Sequence, residues 1–171
     1  MKANPIVLMK TELGDIKVEI FEDKAPITVA NFLSYVGSKL YDSTTFFRTV
    51  TMDNQPNSTI KIEVIQGGQV EKEKEHSPME HETTQKTGLK HLEGTISMSR
   101  MKPGSATSSF FFCIRDEPEL DYGGHRNADG QGFSAFGRVV SGMDVVKRIH
   151  QQPKEEQRIQ PPVKIIEIRR V

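Results

Sequence analysis

The stretch IVLMKTELGDIKVEIF, residues 6–21, decides the fold class. Two runs in which apolar and polar residues alternate flank Gly14, which suits a tight turn. A period of two residues is typical of a strand that buries one face. The stretch therefore predicts a β-hairpin at the start of the chain.

Short strand-like segments also dominate the rest of the chain. They are TTFFRTV, IKIEVIQGG, GTISMSR, SFFFCI, FSAFGRVV and the closing VKIIEIRRV. Two amphipathic segments predict helices: residues 26–37, from Pro26 to Gly37, and residues 142–151. Many strands, two helices and no alternation of strand and helix favour an antiparallel sandwich or closed barrel. The length of 171 residues suits a single domain, residues 1–171.

Composition excludes several classes of function. Lys and Arg number 23 and Asp and Glu number 23, so the net charge gives no reason to expect a nucleic-acid or anionic-membrane partner. No apolar run approaches the ~20 residues of a membrane span. The first residues lack a signal-peptide pattern, so we expect a cytoplasmic protein, or an exported one whose signal peptide has been removed. The lone Cys113 predicts a buried, inert thiol.

Common catalytic patterns are missing. The segment HSPMEHE, residues 76–82, has metal-ligating residue types without a helical ligand spacing, so a solvated surface loop is expected over residues 69–86. The glycine-rich residues 123–132 precede a strand and predict a long turn rather than a phosphate site. We therefore predict no metal and no organic cofactor.

One arginine stands among aromatic residues in TTFFRTV. Strict alternation places Phe46 and Arg48 on the same face of this strand. Arg48 is then either an edge residue whose stem covers apolar surface, or a charged group beside a groove. The spacing alone leaves both interpretations open.

The order of several segments resembles the cyclophilin-type peptidyl-prolyl cis-trans isomerases, particularly bacterial members. The matching pieces are TELGDIKVEIFEDKAPITVANFLSYV, FFRTV, VIQGG, GTISMSR, SATSSFFF and LDYGGHRNADGQGFSAFGRVVSGMDVVKRI. This resemblance implies a mainly all-β fold, a closed eight-stranded antiparallel barrel with two capping α-helices. It also implies a monomer that binds proline-containing peptides and folding proteins in a groove on the outer surface. Rotation about X-Pro bonds would be accelerated without a covalent intermediate.

By the same resemblance, the catalytic residues are Arg48, Gln66 and Phe111. Arg48 would donate to the prolyl nitrogen, Gln66 would help to position Arg48, and Phe111 would form the floor of the proline pocket. The resemblance further assigns substrate-binding roles to Phe46, Val64, Ser99, Arg100, Ser109, Leu120 and Phe133. In SFFFCI, it turns Phe110 and Phe112 towards the core and Phe111 towards the groove.

The sequence departs from the family pattern beside the expected site. Ser109 stands where the family usually has glutamine, which removes a contact to the substrate backbone. Residues 51–63 form a longer link than usual, and Glu63 falls near the position of a missing pocket phenylalanine. These departures support an alternative function, a weakly active or inactive module that binds proline-containing peptides or a partner protein.

Overall fold

The computed structural model describes residues 3–171 and contains one antiparallel sheet that closes on itself. Eight strands close the barrel in the order β1-β2-β7-β5-β6-β4-β3-β9, and β9 returns to β1; β8 pairs only with β9. The strands are β1 (Ile6–Thr11), β2 (Gly14–Ile20), β3 (Thr45–Val50), β4 (Val64–Gly67), β5 (Thr95–Met98), β6 (Phe110–Cys113), β7 (Ser134–Ser141), β8 (Lys154–Glu155) and β9 (Arg158–Arg170). The predicted eight-stranded barrel is confirmed.

The predicted first hairpin is formed by β1 and β2, with Thr11 opposite Gly14. Gly14 has a φ of +134°, and a Cβ at this position would lie 2.8 Å from Cγ2 of Val145. Both facts favour glycine, because a side chain would strain the backbone and meet the helix that packs over the turn.

The aromatic residues of β6 face alternately towards the interior of the barrel and towards its outer surface. Phe110 and Phe112 are fully buried in the core, as predicted. The Phe110 ring meets Tyr41 edge-on, with centroids 5.3 Å apart. Phe111 and Cys113 belong to a second, smaller apolar cluster on the other face of the same strand.

The two predicted helices are α1 (Pro26–Gly37) and α3 (Met143–His150), and a third short helix, α2 (Thr84–Thr87), was not predicted. Within residues 3–171, no helix has the length and apolar character needed to cross a membrane.

The expectation that residues 69–86 form only a solvated loop is wrong in one respect. Glu82 is 3% exposed, and its carboxylate accepts hydrogen bonds from the backbone N and Oγ1 of Thr28, at 2.9 and 2.7 Å. The backbone N of Ile27 donates to it as well, at 3.3 Å. A carboxylate at a helix N-terminus satisfies free N–H groups and opposes the helix dipole, so Glu82 fastens this loop to α1. Among the described residues, no group of histidine, cysteine and carboxylate side chains is arranged to hold a metal ion.

Candidate active site

Three neighbouring strands bring the predicted catalytic residues into one row. Arg48 on β3 lies opposite Gln66 on β4, and Gln66 lies opposite Phe111 on β6. All three line a groove of about 580 Å³ on the outer surface of the barrel. This volume falls in the range of about 300–1,000 Å³ that is typical of ligand pockets.

The prediction that Phe46 lines the groove beside Arg48 is wrong. The β3–β4 register shifts between Phe46 and Arg48, as expected of a β-bulge. The bulge breaks the strict alternation, so Phe46 is fully buried in the barrel core while Arg48 faces outward. Phe47, the residue between them, lines the groove instead.

Two glutamine side chains hold the guanidinium of Arg48. Nη1 donates to Oε1 of Gln66, and Nε donates to Oε1 of Gln157, both at 2.9 Å. Gln157 is itself fixed, because its Nε2 donates to the backbone oxygen of Asn54 at 3.1 Å. Burial, and then the positive charge of Arg126, lower the pKa of Arg48 from its ordinary value. An arginine stays charged under these conditions, so the site presents a fixed cation.

Ser109 holds the other end of Gln66. The Nε2 of Gln66 donates to Oγ of Ser109 at 2.9 Å, and this Oγ lies 3.4 Å from the backbone oxygen of Gly67. The serine hydroxyl is buried and orients Gln66, so that Oε1 of Gln66 faces Arg48. The residue that departs from the family pattern therefore has a defined role within the protein.

The floor of the groove is the smaller apolar cluster. Its members are Val50, Ile62, Val64, Phe111, Cys113 and Leu120, with Phe133 packed against them. The rings of Phe111 and Phe133 meet edge-on at a centroid distance of 5.2 Å. Ile62, rather than Glu63, supplies the apolar wall from the long loop. The backbone N of Glu63 instead donates to the carboxylate of Glu117 at 2.6 Å.

A buried histidine supports this floor. His91 stacks parallel to Phe111 at a centroid distance of 6.0 Å. Its Nδ1 lies 2.7 Å from the Asp121 carboxylate, and its Nε2 lies 2.8 Å from Oγ of Ser97. Burial lowers the pKa of His91, although Asp121 opposes this effect. A neutral ring that donates from Nδ1 to the carboxylate accepts at Nε2 from the serine hydroxyl, which fixes its orientation.

Ser99 and Arg100 also line the groove. The guanidinium of Arg100 forms a two-pronged pair with Asp129, at 2.9 and 3.0 Å, and donates to the backbone oxygen of Gly132 at 2.6 Å. Its Cζ lies 4.9 Å from the centroid of the Phe133 ring. The charge of Arg100 is therefore compensated by Asp129, and its guanidinium packs on the Phe133 ring and holds it in place.

The structure thus places nine of the ten predicted site residues in one groove, and Phe46 in the core. Sequence reasoning missed Phe47, Ile62, His91, Arg126 and Gln157. Gln157 lies 109 positions from Arg48 in the chain, and nothing in the local sequence marks it. The histidine in GLKHLEGTISM offered a weak signal, since a single polar ring precedes a buried strand.

A closed antiparallel barrel with a fixed arginine beside an outer apolar pocket defines the cyclophilin class. The family described as cyclophilin type peptidyl-prolyl cis-trans isomerase/CLD matches residues 6–170. The chain belongs to this family, and the predicted family and enzyme class are confirmed.

Bacterial relatives agree with this assignment. A peptidyl-prolyl cis-trans isomerase of Acinetobacter baylyi is 38% identical over 176 residues, covering 97% of this chain and 85% of the relative. Peptidyl-prolyl cis-trans isomerase B of Escherichia coli is also 38% identical, over 84% of this chain and 83% of the relative.

Solved structures share the fold. A cyclophilin type peptidyl-prolyl cis-trans isomerase of Cryptosporidium parvum superposes with a TM-score of 0.78 at 22% identity, over 98% of each chain. A second structure of that protein, determined in the presence of the dipeptide Ala-Pro, has a TM-score of 0.71 at 21% identity and covers 95% of this chain and 96% of that chain.

Proposed function

We propose that the groove binds proline-containing segments of folding proteins and that Arg48 accelerates rotation about the X-Pro bond. The observation that carries this proposal is the fixed guanidinium of Arg48, held from two sides by Gln66 and Gln157 in the same groove as the apolar floor at Phe111. The Ala-Pro dipeptide present with the related parasite protein supports a proline ligand for this groove.

The chemistry needs a donor and an apolar seat, and no nucleophile. Rotation about a peptide bond faces a barrier of ~18–20 kcal/mol, because the amide resonance must be broken. In the twisted state the prolyl nitrogen regains a lone pair, which accepts a hydrogen bond that the planar state accepts poorly. A donor fixed before the reaction stabilises this state more than either planar isomer. Arg48 meets this requirement, because the two glutamines hold it and its Nη2 donates to no acceptor among residues 3–171.

Exchange spectroscopy by NMR on a short peptide with one X-Pro bond tests the proposal. Wild type, Arg48→Ala and Arg48→Lys are compared at equal concentration. We expect Arg48→Ala to lower kcat/KM by about 10²–10³, the loss that follows removal of one such donor. Arg48→Lys should restore only part of it, because a lysine lacks the planar fork that both glutamines bind. Arg138→Ala, which removes an exposed arginine paired with Glu19 on the barrel wall, is the matched control.

Two results would count against the proposal. Equal catalysis by wild type and a folded Arg48→Ala variant would remove Arg48 from the chemistry. Binding of the peptide without any catalysis by wild type would instead favour the alternative function, a binding module with the same groove.

The monomeric state and the compartment stay predictions.

A further inference from the structure

The groove carries uncompensated positive charge. Three arginines line it, Arg48, Arg100 and Arg126, whereas no aspartate or glutamate of the described chain does. Arg100 is neutralised by its two-pronged pair with Asp129. Arg48 binds only glutamine oxygens. Two of the three charges therefore have no carboxylate partner within ion-pair distance among residues 3–171.

Arg126 links two loops at the rim of the groove. Its Nη1 lies 2.5 Å from the backbone oxygen of Ile60 and 3.1 Å from Oε1 of Gln55. Both acceptors are neutral, and they belong to the long loop over residues 51–63. The carboxylate that acts on Arg126 from a distance is Glu117, which is already bound by Nε of Arg115 at 3.0 Å.

Unused donors collect at this end of the groove. The Nε and Nη2 atoms of Arg126 take part in no hydrogen bond within the described part of the chain. The adjacent Asn127 lines the same groove, and its Nδ2 is the one buried side-chain polar atom of residues 3–171 that has no partner. The free donors of Arg126 belong to a side chain that lines the groove, so a ligand that brings an acceptor to them gains charge-assisted hydrogen bonds.

Electrostatics identifies the acceptor. Arg48 and Arg126 line the same groove without a carboxylate partner, so their positive charges repel each other. In line with this, the charge of Arg126, after burial, helps to lower the pKa of Arg48. Half-buried charges are screened less than exposed ones, so an anion between them relieves a repulsion that water relieves only in part. A carboxylate fits best, because it accepts several charge-assisted hydrogen bonds at once.

We propose that Arg126 and Asn127 form a specificity subsite that selects proline-containing segments with an aspartate or glutamate side chain close to the proline. This inference rests on the proposed function, since it takes the proline to lie on the Phe111 floor of the same groove. If Arg126 only connected two loops, the charge of the peptide would not change its affinity.

A panel of peptides that differ in one residue tests the subsite. Glutamate, glutamine or lysine is placed directly before or directly after a single proline, and both affinity and isomerisation rate are measured at low ionic strength. In one of the two positions, we expect the glutamate peptide to bind about tenfold more tightly than the lysine peptide, the factor given by one charge-assisted hydrogen bond. This preference should shrink as salt shortens the Debye length from about 10 Å at 0.1 M to about 3 Å at 1 M.

Two variants assign the preference to Arg126. Arg126→Gln should abolish it and Arg126→Lys should keep part of it. The matched control is Arg138→Gln, because Arg138 is an exposed arginine that pairs with Glu19 and lies outside the groove. Arg138→Gln should leave the ratio between the glutamate and lysine peptides unchanged.

The outcomes separate this inference from the proposed function. Equal affinity of wild type for the glutamate, glutamine and lysine peptides overturns the subsite, as does a preference that survives in Arg126→Gln. If Arg126→Gln does not fold, a wild-type preference that is insensitive to salt also overturns it. A glutamate preference in binding without catalysis supports the subsite and contradicts only the catalytic role of Arg48.

Discussion

Replacing the three consecutive phenylalanines of β6 by alanine, one at a time, separates stability from activity. Phe110 and Phe112 are fully buried in the core and pack edge-on against each other at a centroid distance of 6.0 Å. Each deletion leaves a closed cavity, so we expect each to cost about 3–5 kcal/mol of the free energy of unfolding. In a domain of this size that loss lowers the melting temperature by roughly 10 °C, at about 2–4 °C for each kcal/mol.

Phe111 lies on the other face of the same strand and is expected to behave differently. It is 5% exposed and lines the groove, so the space left by its deletion opens to solvent. Only the transfer free energy of the ring is lost, about 1.5–3 kcal/mol. The proposed seat for the proline ring disappears, and we expect kcat/KM to fall by at least about tenfold, which corresponds to 1.4 kcal/mol of binding energy.

Thermal unfolding and the X-Pro exchange assay on the same samples measure both quantities. The rates are compared well below each melting temperature, so that every variant is folded. The reasoning fails if Phe111→Ala destabilises the protein more than Phe110→Ala and Phe112→Ala do. It also fails if Phe111→Ala retains full activity, because the groove floor would then contribute nothing to catalysis.

Three further predictions follow from buried polar contacts. Glu82→Gln should lower the free energy of unfolding by about 1–2 kcal/mol in thermal unfolding, because it weakens the cap of α1. Glu80→Gln, which changes an exposed residue of the same loop, should leave the free energy of unfolding unchanged. Equal destabilisation by the two substitutions would refute the cap. Burial lowers the pKa of His91, so the unfolded chain binds more protons and stability should fall as pH drops below about 6.5. In denaturant titrations between pH 7 and 5, the free energy of unfolding should depend less on pH in His91→Gln than in wild type. An equal pH dependence in the two proteins would count against this. If Arg48 acts as proposed, Gln157→Ala should lower kcat by about tenfold with little change in KM, since it releases one of the two bonds that fix Arg48; a normal kcat would make that bond dispensable.

Alternation along the strands predicted an antiparallel sandwich or closed barrel, and the resemblance to the cyclophilins supplied the groove and its residues. The SFFFCI segment illustrates this, since alternation puts Phe111 on the opposite face from Phe110 and Phe112, while the resemblance assigns that face to the groove. Alternation failed at Phe46 because a bulge adds one residue to β3, and no residue in TTFFRTV signals it. The prediction from strict alternation therefore put Phe46, which is fully buried, on the same face as Arg48.

Contacts between distant segments were the other source of error. Glu82 and Thr28 are 54 positions apart, and Arg126 and Ile60 are 66 positions apart. Each contact depends on how two irregular loops cross the surface, and charge-rich loop sequences have no periodicity that predicts such a crossing. The sequence therefore does not reveal which residue of a mainly solvated loop is buried against the rest of the protein.

Cys113 gives this protein a chemical reporter of its own groove. It is the only thiol of the sequence, it is fully buried in the same apolar cluster as Phe111, and burial raises its pKa well above the ordinary value. Alkylating reagents react with the thiolate, so modification requires β6 to open locally and expose the sulfur. The labelling rate of the unmodified protein therefore measures how often the groove floor opens, and a proline ligand that stabilises the floor should slow that rate without any engineered probe.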